Sequence, residues 1–178
     1  MKDLKEYTIP FVGLKVGNHL FEYKVGKEFF EHFEFDEFNE TNLAVELNLL
    51  KKTTMMELSF TINGTININC DVTNEPFDQY IEAEHHVVVK FGDAYNDEHE
   101  EILILPHGEY ELHVAQYVYE TSVLAVPSKR VHPGIEDGTL NSDVLDKLEE
   151  LSIKENNDPA GEETDPRWDT LKKLLNDK

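Results

Sequence analysis

Histidine, cysteine and carboxylate side chains are the residues of this sequence that could hold a metal ion or act as nucleophile and base. The chain has eight His and one Cys. A single Cys excludes an internal disulfide and any four-cysteine zinc site. His85 and His86 are adjacent on a predicted strand, so their side chains point to opposite faces and do not chelate one ion together. For His107 and His113, which flank a predicted helix start, a turn or surface position is the simpler interpretation.

The acidic run from Asp93 to Glu101 is the other segment that could bind a divalent ion. It lacks the alternating ligands and the central Gly of a calcium loop, and we expect a solvated loop there. Cys70 lies on a predicted strand, where no helix start favours its thiolate. The sequence contains no GxSxG, GxxxxGK[ST] or GxGxxG motif. These patterns predict no enzyme, no cofactor and no metal site. A divalent-metal-dependent hydrolase or nuclease using clustered Asp and Glu stays open as the alternative.

The charge balance is strongly acidic. Sixteen Lys and Arg stand against 37 Asp and Glu, a formal net charge of −21. Such a charge disfavours electrostatic binding to nucleic acid or anionic lipid, and it speeds association with basic proteins. Lys51-Lys52 and Lys129-Arg130 are the tight basic pairs of the first 150 residues. Any RNA site must therefore be a local positive island at 129–132.

Length and composition are typical of a folded domain with a tail. The chain has 178 residues, of which 39% are hydrophobic, enough for a sizeable core. No apolar run approaches the roughly 20 residues of a membrane helix, and residues 1–11 lack the apolar stretch of a signal peptide. We expect a protein of a reducing compartment, the cytoplasm, with no membrane partner.

The elements that must position these residues are mostly strands. Apolar and polar side chains alternate with period two over 42–50, 55–62, 65–72 and 76–90, which predicts a half-buried antiparallel sheet. Asn63-Gly64 predicts a hairpin. A two-residue loop there would point the two apolar faces in opposite directions, so we expect a three-residue bulged loop that pairs Phe60 with Ile66.

Shorter patterns complete the predicted fold. They indicate strands at 7–11, 20–25 and 102–105, a short helix after Lys27, a loop over 92–101, and helices at 110–125, 143–151 and 165–175. We predict an α+β fold, in which an antiparallel β-meander of four or more strands packs against one main helix. Residues 1–133 form this domain, and 134–178 form an acidic C-terminal region with short helices on a linker.

Three stretches resemble the YceD family, the large ribosomal RNA subunit accumulation proteins. Residues 65–77 (TININCDVTNEPF) are similar to its strand–CxRC–L–E–P–F element. Residues 117–127 (YVYETSVLAVP) resemble its helix ending in Glu…Leu-Ala-Leu-Pro, and 165–174 (DPRWDTLKKL) resemble its Asp-Pro-Arg…Leu…Leu motif. The family's second cysteine falls on Thr73 and its arginine on Val72, so no CxxC pair exists here. We expect Cys70 to be a small buried residue.

The resemblance implies a non-enzymatic accessory factor for 23S rRNA accumulation and large ribosomal subunit assembly. From the negative charge we add the hypothesis that the protein binds a basic ribosomal protein or assembly factor, and that ribosomal RNA is a secondary partner. A general acidic interaction module is a third interpretation. The predicted binding residues are Glu120, Pro127, Lys129, Arg130, Asp165, Pro166, Arg167 and Trp168. For the six that come from the family motifs, which excludes Lys129 and Arg130, a packing or capping role is at least as well supported.

Overall fold

The computed structural model describes residues 4–99 and 101–152. Its strands are β1 (Thr8–Ile9), β2 (Gly17–Val25), β3 (Glu40–Lys51), β4 (Met55–Asn69), β5 (Pro76–Gly92), β6 (Asn96–His99), β7 (Ile102–Pro106) and β8 (Leu112–His113). Its helices are α1 (Lys27–Glu31), α2 (Ala115–Leu124), α3 (Pro133–Glu136) and α4 (Asp143–Leu151), and 3-10 turns cover Leu4–Tyr7 and Phe11–Gly13. The chain divides into two compact units, residues 1–142 and 143–178.

Six strands form one mostly antiparallel sheet, in the order β2-β3-β4-β5-β7-β6. Strands β2 to β5 are a meander with antiparallel neighbours, so the predicted α+β class and antiparallel meander are confirmed. The far edge departs from this pattern. There β7 runs parallel to β5, with Val88 opposite Ile102, and antiparallel to β6. After β5 the chain therefore forms β6 at the edge of the sheet, and then returns as β7, which lies between β5 and β6.

The predicted hairpin at Asn63-Gly64 is wrong, because β4 continues through it. Phe60 lies opposite Leu47 of β3 and His85 of β5. The apolar residues keep the same parity on both sides of the glycine, so an unbroken strand buries them all on one face. These buried residues are Met56, Leu58, Phe60, Ile62, Ile66 and Ile68.

Gly64 is required by the close approach of β3 instead of by a turn. Its φ is +146°, and a Cβ there would lie 2.2 Å from the carbonyl oxygen of Asn42. Glycine has no Cβ and tolerates positive φ. The residue therefore lets two neighbouring strands pair at a point where any side chain would collide with the partner backbone.

Three other boundaries differ from the sequence predictions. The strand predicted at 7–11 is only β1, which pairs with β8 in a separate two-stranded sheet. The helix predicted from 110 begins at Ala115, because Leu112 and His113 pair with β1. The loop predicted over 92–101 contains β6, an edge strand whose mostly exposed side chains give no apolar alternation.

The core lies on one face of the large sheet. Aromatic side chains from α1, the extended segment after it, and α2 cover that face, with Phe33 stacked on Tyr119 at a ring-centroid distance of 4.3 Å. The opposite face is polar. The second unit contains α4, whose bounds match the predicted helix and whose Val144 and Leu148 are largely exposed. Within residues 4–99 and 101–152, no helix is both long enough and apolar enough to cross a membrane.

Candidate functional site

The segment after α2 carries three of the predicted binding residues and is held against the corner between β4 and β5. The Asp71 N–H donates to the Arg130 carbonyl oxygen at 2.7 Å, and the Arg130 N–H donates to Asp71 Oδ2 at 2.8 Å. The Arg130 guanidinium contacts Glu37 Oε2 at 2.9 Å and Asp71 Oδ1 at 3.3 Å. The carboxylates of Glu37 and Asp71 therefore balance the positive charge of Arg130, which belongs to the predicted positive island. Pro127 and Lys129 are exposed beside it.

Cys70 forms the inner side of the same corner. It is 2% exposed, and its Sγ accepts weak hydrogen bonds from the N–H of His132 at 3.3 Å and of Val72 at 3.4 Å. Burial raises the pKa of the thiol, but the hydrogen bonds from His132, Thr73 and Val72 outweigh burial and leave that pKa below its ordinary value. The cysteine thus joins the segment after α2 to the end of β4, which agrees with the buried position expected for it.

The other predicted binding residues of the C-terminal motif lie outside the described residues. They are Asp165, Pro166, Arg167 and Trp168, together with the predicted linker over 154–164 and the final helix at 165–175.

Glu120 is the predicted residue that lies in a large groove. The groove has a volume of about 980 Å³ and lies between α2 and the β5-β7-β6 edge of the sheet. We call it the acidic groove, and define it by its lining residues. These are Ala83, Glu84, His85, Tyr95, Asp97, Glu98, His99, Leu103, Leu105, Glu109, Glu111, Leu112, His113, Gln116, Tyr117, Tyr119, Glu120, Thr121, Val123, Leu124 and Ala125.

The acidic groove is rich in acidic residues. Six acidic residues and three histidines line it, and among the described residues its lining contains neither Lys nor Arg. The acidic residues are Glu84, Asp97, Glu98, Glu109, Glu111 and Glu120. Pro127, Lys129 and Arg130 do not belong to the lining, so the structure separates Glu120 from these three predicted residues.

Tyrosines provide the aromatic surface of the groove. Tyr117 packs against both Phe60 and His85, at ring-centroid distances of 5.8 and 6.1 Å. Burial, followed by the charges of Tyr95, Asp97 and Glu120, raises the pKa of Tyr117 to about 12. The Tyr95 O–H donates to Asp97 Oδ2 at 3.0 Å, and burial together with Asp97 also raises the pKa of Tyr95.

Neutral phenol rings beside carboxylates suit a cationic ligand. The ring faces attract ammonium and guanidinium groups, and carboxylates of one sign in a concave site focus the negative potential. A tight metal site is a different arrangement. In the described part of the chain, no group of three or more His, Cys, Asp and Glu side chains could hold a metal ion.

The sequence analysis predicts Glu120 as a binding residue and predicts none of the other residues that line the groove. Its residues come from β5, the 95–99 segment, β7, the 109–113 segment and α2. The available signal was the acidity on both sides of β7, at 93–101 and again at Glu109 and Glu111. Only the parallel placement of β7 beside β5 brings these segments to α2.

Comparison with known protein families supports the resemblance drawn from the motifs. The family described as "Large ribosomal RNA subunit accumulation protein YceD" matches residues 58–175, which is more than half of the chain and contains all three motif stretches. Comparison with curated proteins and with solved structures gives no match. The chain therefore belongs to the YceD family of large ribosomal RNA subunit accumulation proteins.

Proposed function

We propose that this protein is a cytoplasmic, non-enzymatic accessory factor for 23S rRNA accumulation and large ribosomal subunit assembly. Family membership is the observation that carries the proposal, because the family description itself names accumulation of the large-subunit RNA. The acidic groove adds a concave surface suited to binding, and it presents carboxylates and phenols without a metal cluster among the described residues.

The protein acts by binding a basic ribosomal protein or assembly factor. A formal net charge of −21 repels the phosphate backbone of RNA and attracts cationic proteins over long range. A protein of this charge can hold a cationic component of the subunit until that component meets its RNA. The accumulation of RNA then follows from a supply of assembly-competent protein, since unassembled RNA is left exposed to degradation.

Direct RNA contact is secondary in this proposal. Arg130, the cation best placed in the predicted positive island, is engaged with Glu37 and Asp71. Lys129 beside it is exposed, and one exposed lysine supplies little of the phosphate neutralisation on which RNA affinity depends. The hydrolase or nuclease alternative gains no support from the groove, whose acidic residues are spread over four segments: β5, β6, the 109–113 segment and α2.

Depletion of the protein in cells tests the proposed function. We expect a lower ratio of large-subunit to small-subunit RNA, and fewer large subunits on a sucrose gradient, with recovery when the wild-type chain is restored. Crosslinking of the tagged chain should recover a basic protein. Normal gradients after depletion would refute the assembly role, whereas crosslinks to ribosomal RNA with no protein would refute the proposed partner.

A further inference from the structure

We propose that the acidic groove binds an extended segment of a basic protein, one that carries several Lys or Arg and at least one large apolar side chain. This inference rests on the proposed function and assigns its binding site. The proposed occupant is a polypeptide, because the groove combines three features: acidic residues, exposed apolar side chains and an open strand edge. A free cation would use only the first of them.

Charge complementarity is the first feature. Six acidic residues line the groove, and the described part of the chain contributes neither Lys nor Arg to it. Glu109 and Glu120 are both exposed, and they lie on different segments, one before β8 and one on α2. Carboxylates gathered around a concave surface raise the local concentration of cationic groups more than the same charges spread over a convex surface. An occupant with several cationic side chains meets each wall without leaving a buried charge unpaired.

Exposed apolar side chains at the groove are the second feature. Leu124 is 83% exposed and Tyr95 is 57% exposed, although both line the groove. Below them lie Leu103 and Leu105, which are buried. An apolar side chain placed between these groups removes more surface from water than a cation alone. The tyrosine faces also attract ammonium or guanidinium groups, so lysine and arginine stems gain contacts along their length.

The strand edge is the third feature, and it favours an extended occupant. Among the described strands, β6 ends the six-stranded sheet and pairs only with β7. Asp97, Glu98 and His99 of this edge strand line the groove. Edge strands offer backbone donors and acceptors to an added strand, which is a common mode of peptide binding. A peptide lying along β6 would carry alternate side chains toward α2.

The size of the groove agrees with such an occupant. A volume of about 980 Å³ lies at the upper end of the range for ligand pockets, roughly 300–1,000 Å³. Several side chains fit this space, whereas a single inorganic cation leaves most of it empty. RNA is disfavoured because its phosphates would meet a lining with six acidic residues.

Binding of two synthetic peptides to the full chain tests the site. One peptide carries about five Lys and Arg with two Leu, and the other replaces both Leu by Ser at the same charge. The groove variant is Glu109→Lys with Glu120→Lys. The control is Glu46→Lys with Glu82→Lys, which makes the same change in net charge at exposed positions of β3 and β5 outside the groove.

We expect the Leu-containing peptide to bind the wild-type chain at least about tenfold more tightly than the Ser peptide. The groove variant should weaken that binding by at least about tenfold, and the control by no more than about twofold. Circular dichroism confirms that both variants fold. If a double variant does not fold, Glu120→Gln against Glu46→Gln replaces the pair.

Three results would overturn the site. They are equal loss of affinity in the groove and control variants, equal affinity for the two peptides, or displacement of the peptide by spermidine or by a ribosomal RNA fragment at comparable concentration. The depletion experiment is independent of these results. A defect after depletion with a failed peptide test would keep the assembly role and reject the groove, and a normal gradient would reject the assembly role itself.

Discussion

Asp71 and Arg130 are 59 residues apart in sequence and are joined by a backbone hydrogen bond, a backbone-to-carboxylate hydrogen bond and an ion pair. The pairing fixes the segment after α2 to the corner between β4 and β5, close to Cys70 and His132. Arg130, which is predicted as a binding residue from the basic pair Lys129-Arg130, therefore has a structural partner. Replacing Asp71 tests whether Arg130 has a structural role through this pair.

Replacing Asp71 by Ala should lower the free energy of unfolding by about 1–2 kcal/mol. Hydrogen bonds to a charged acceptor contribute about 1.5–3 kcal/mol, and solvent exposure of the pair reduces that value. Urea denaturation measures the loss, with Asp93→Ala in an exposed position as the matched control. Equal stability of the two variants would contradict a structural role for the pair.

Replacing Gly64 by Ala should destabilise the protein by at least about 2 kcal/mol, because the new Cβ meets the Asn42 carbonyl oxygen and φ is positive. The measurement is again urea denaturation. Gly13→Ala is the control, since a Cβ at Gly13 meets nothing within 4 Å. A stable Gly64→Ala variant would mean that β3 and β4 do not approach so closely at this point.

The Cys70 thiol should react slowly with a thiol-specific reagent in the native protein. Its lowered pKa favours the thiolate, but at 2% exposure the sulfur is inaccessible, and access limits the rate. In denaturant the same reagent should modify one thiol per chain, which provides the control. Rapid modification of the native chain is the opposite result, and would place Cys70 at the surface.

The stability of the protein should fall between pH 10 and about 12, partly through Tyr117. Its pKa is raised to about 12 in the folded chain, from an ordinary value near 10. The folded state holds this proton more tightly, so the contribution is complete below pH 10 and is lost as pH rises to about 12. Tyr23, whose pKa burial also raises to about 12, acts in the same direction.

Chemical denaturation at several alkaline pH values measures this loss. Tyr117→Phe should show a shallower decline in the free energy of unfolding than the wild-type chain. Tyr80→Phe removes a phenol that is 59% exposed and is the control. An identical decline in the wild-type chain and Tyr117→Phe would mean that folding, through burial and the charges nearby, does not raise the pKa of this phenol.

Side-chain periodicity predicts much of the fold, and it does so correctly where one face of a strand is buried. The alternation in β3, β4 and β5 indicated a half-buried antiparallel sheet, which the burial of every second residue bears out. The same alternation also indicates that no hairpin forms at Gly64, because the buried residues stay at even-numbered positions on both sides of Asn63-Gly64. The local turn preference of Asn-Gly competed with that parity, and strand pairing on both sides of β4 prevailed.

The acidic groove could not be predicted by the same reasoning. Its edge strand β6 has exposed side chains, so period two leaves no apolar signal there. The parallel pairing of β7 with β5 depends on long-range packing of Leu103 and Leu105, which a short apolar run does not specify. Family motifs identified Glu120 because they carry information that a single sequence lacks.

The position of β7 between β5 and β6 makes the placement of β6 depend on β7. Strand β6 forms its ladder with β7, and β7 connects to the rest of the sheet through five paired positions on β5. Leu103 and Leu105 of β7 are also buried in the core, so side-chain packing as well as backbone hydrogen bonds fixes this edge to the sheet. A substitution at either leucine should therefore reshape the cleft beside α2 without changing any of its acidic residues.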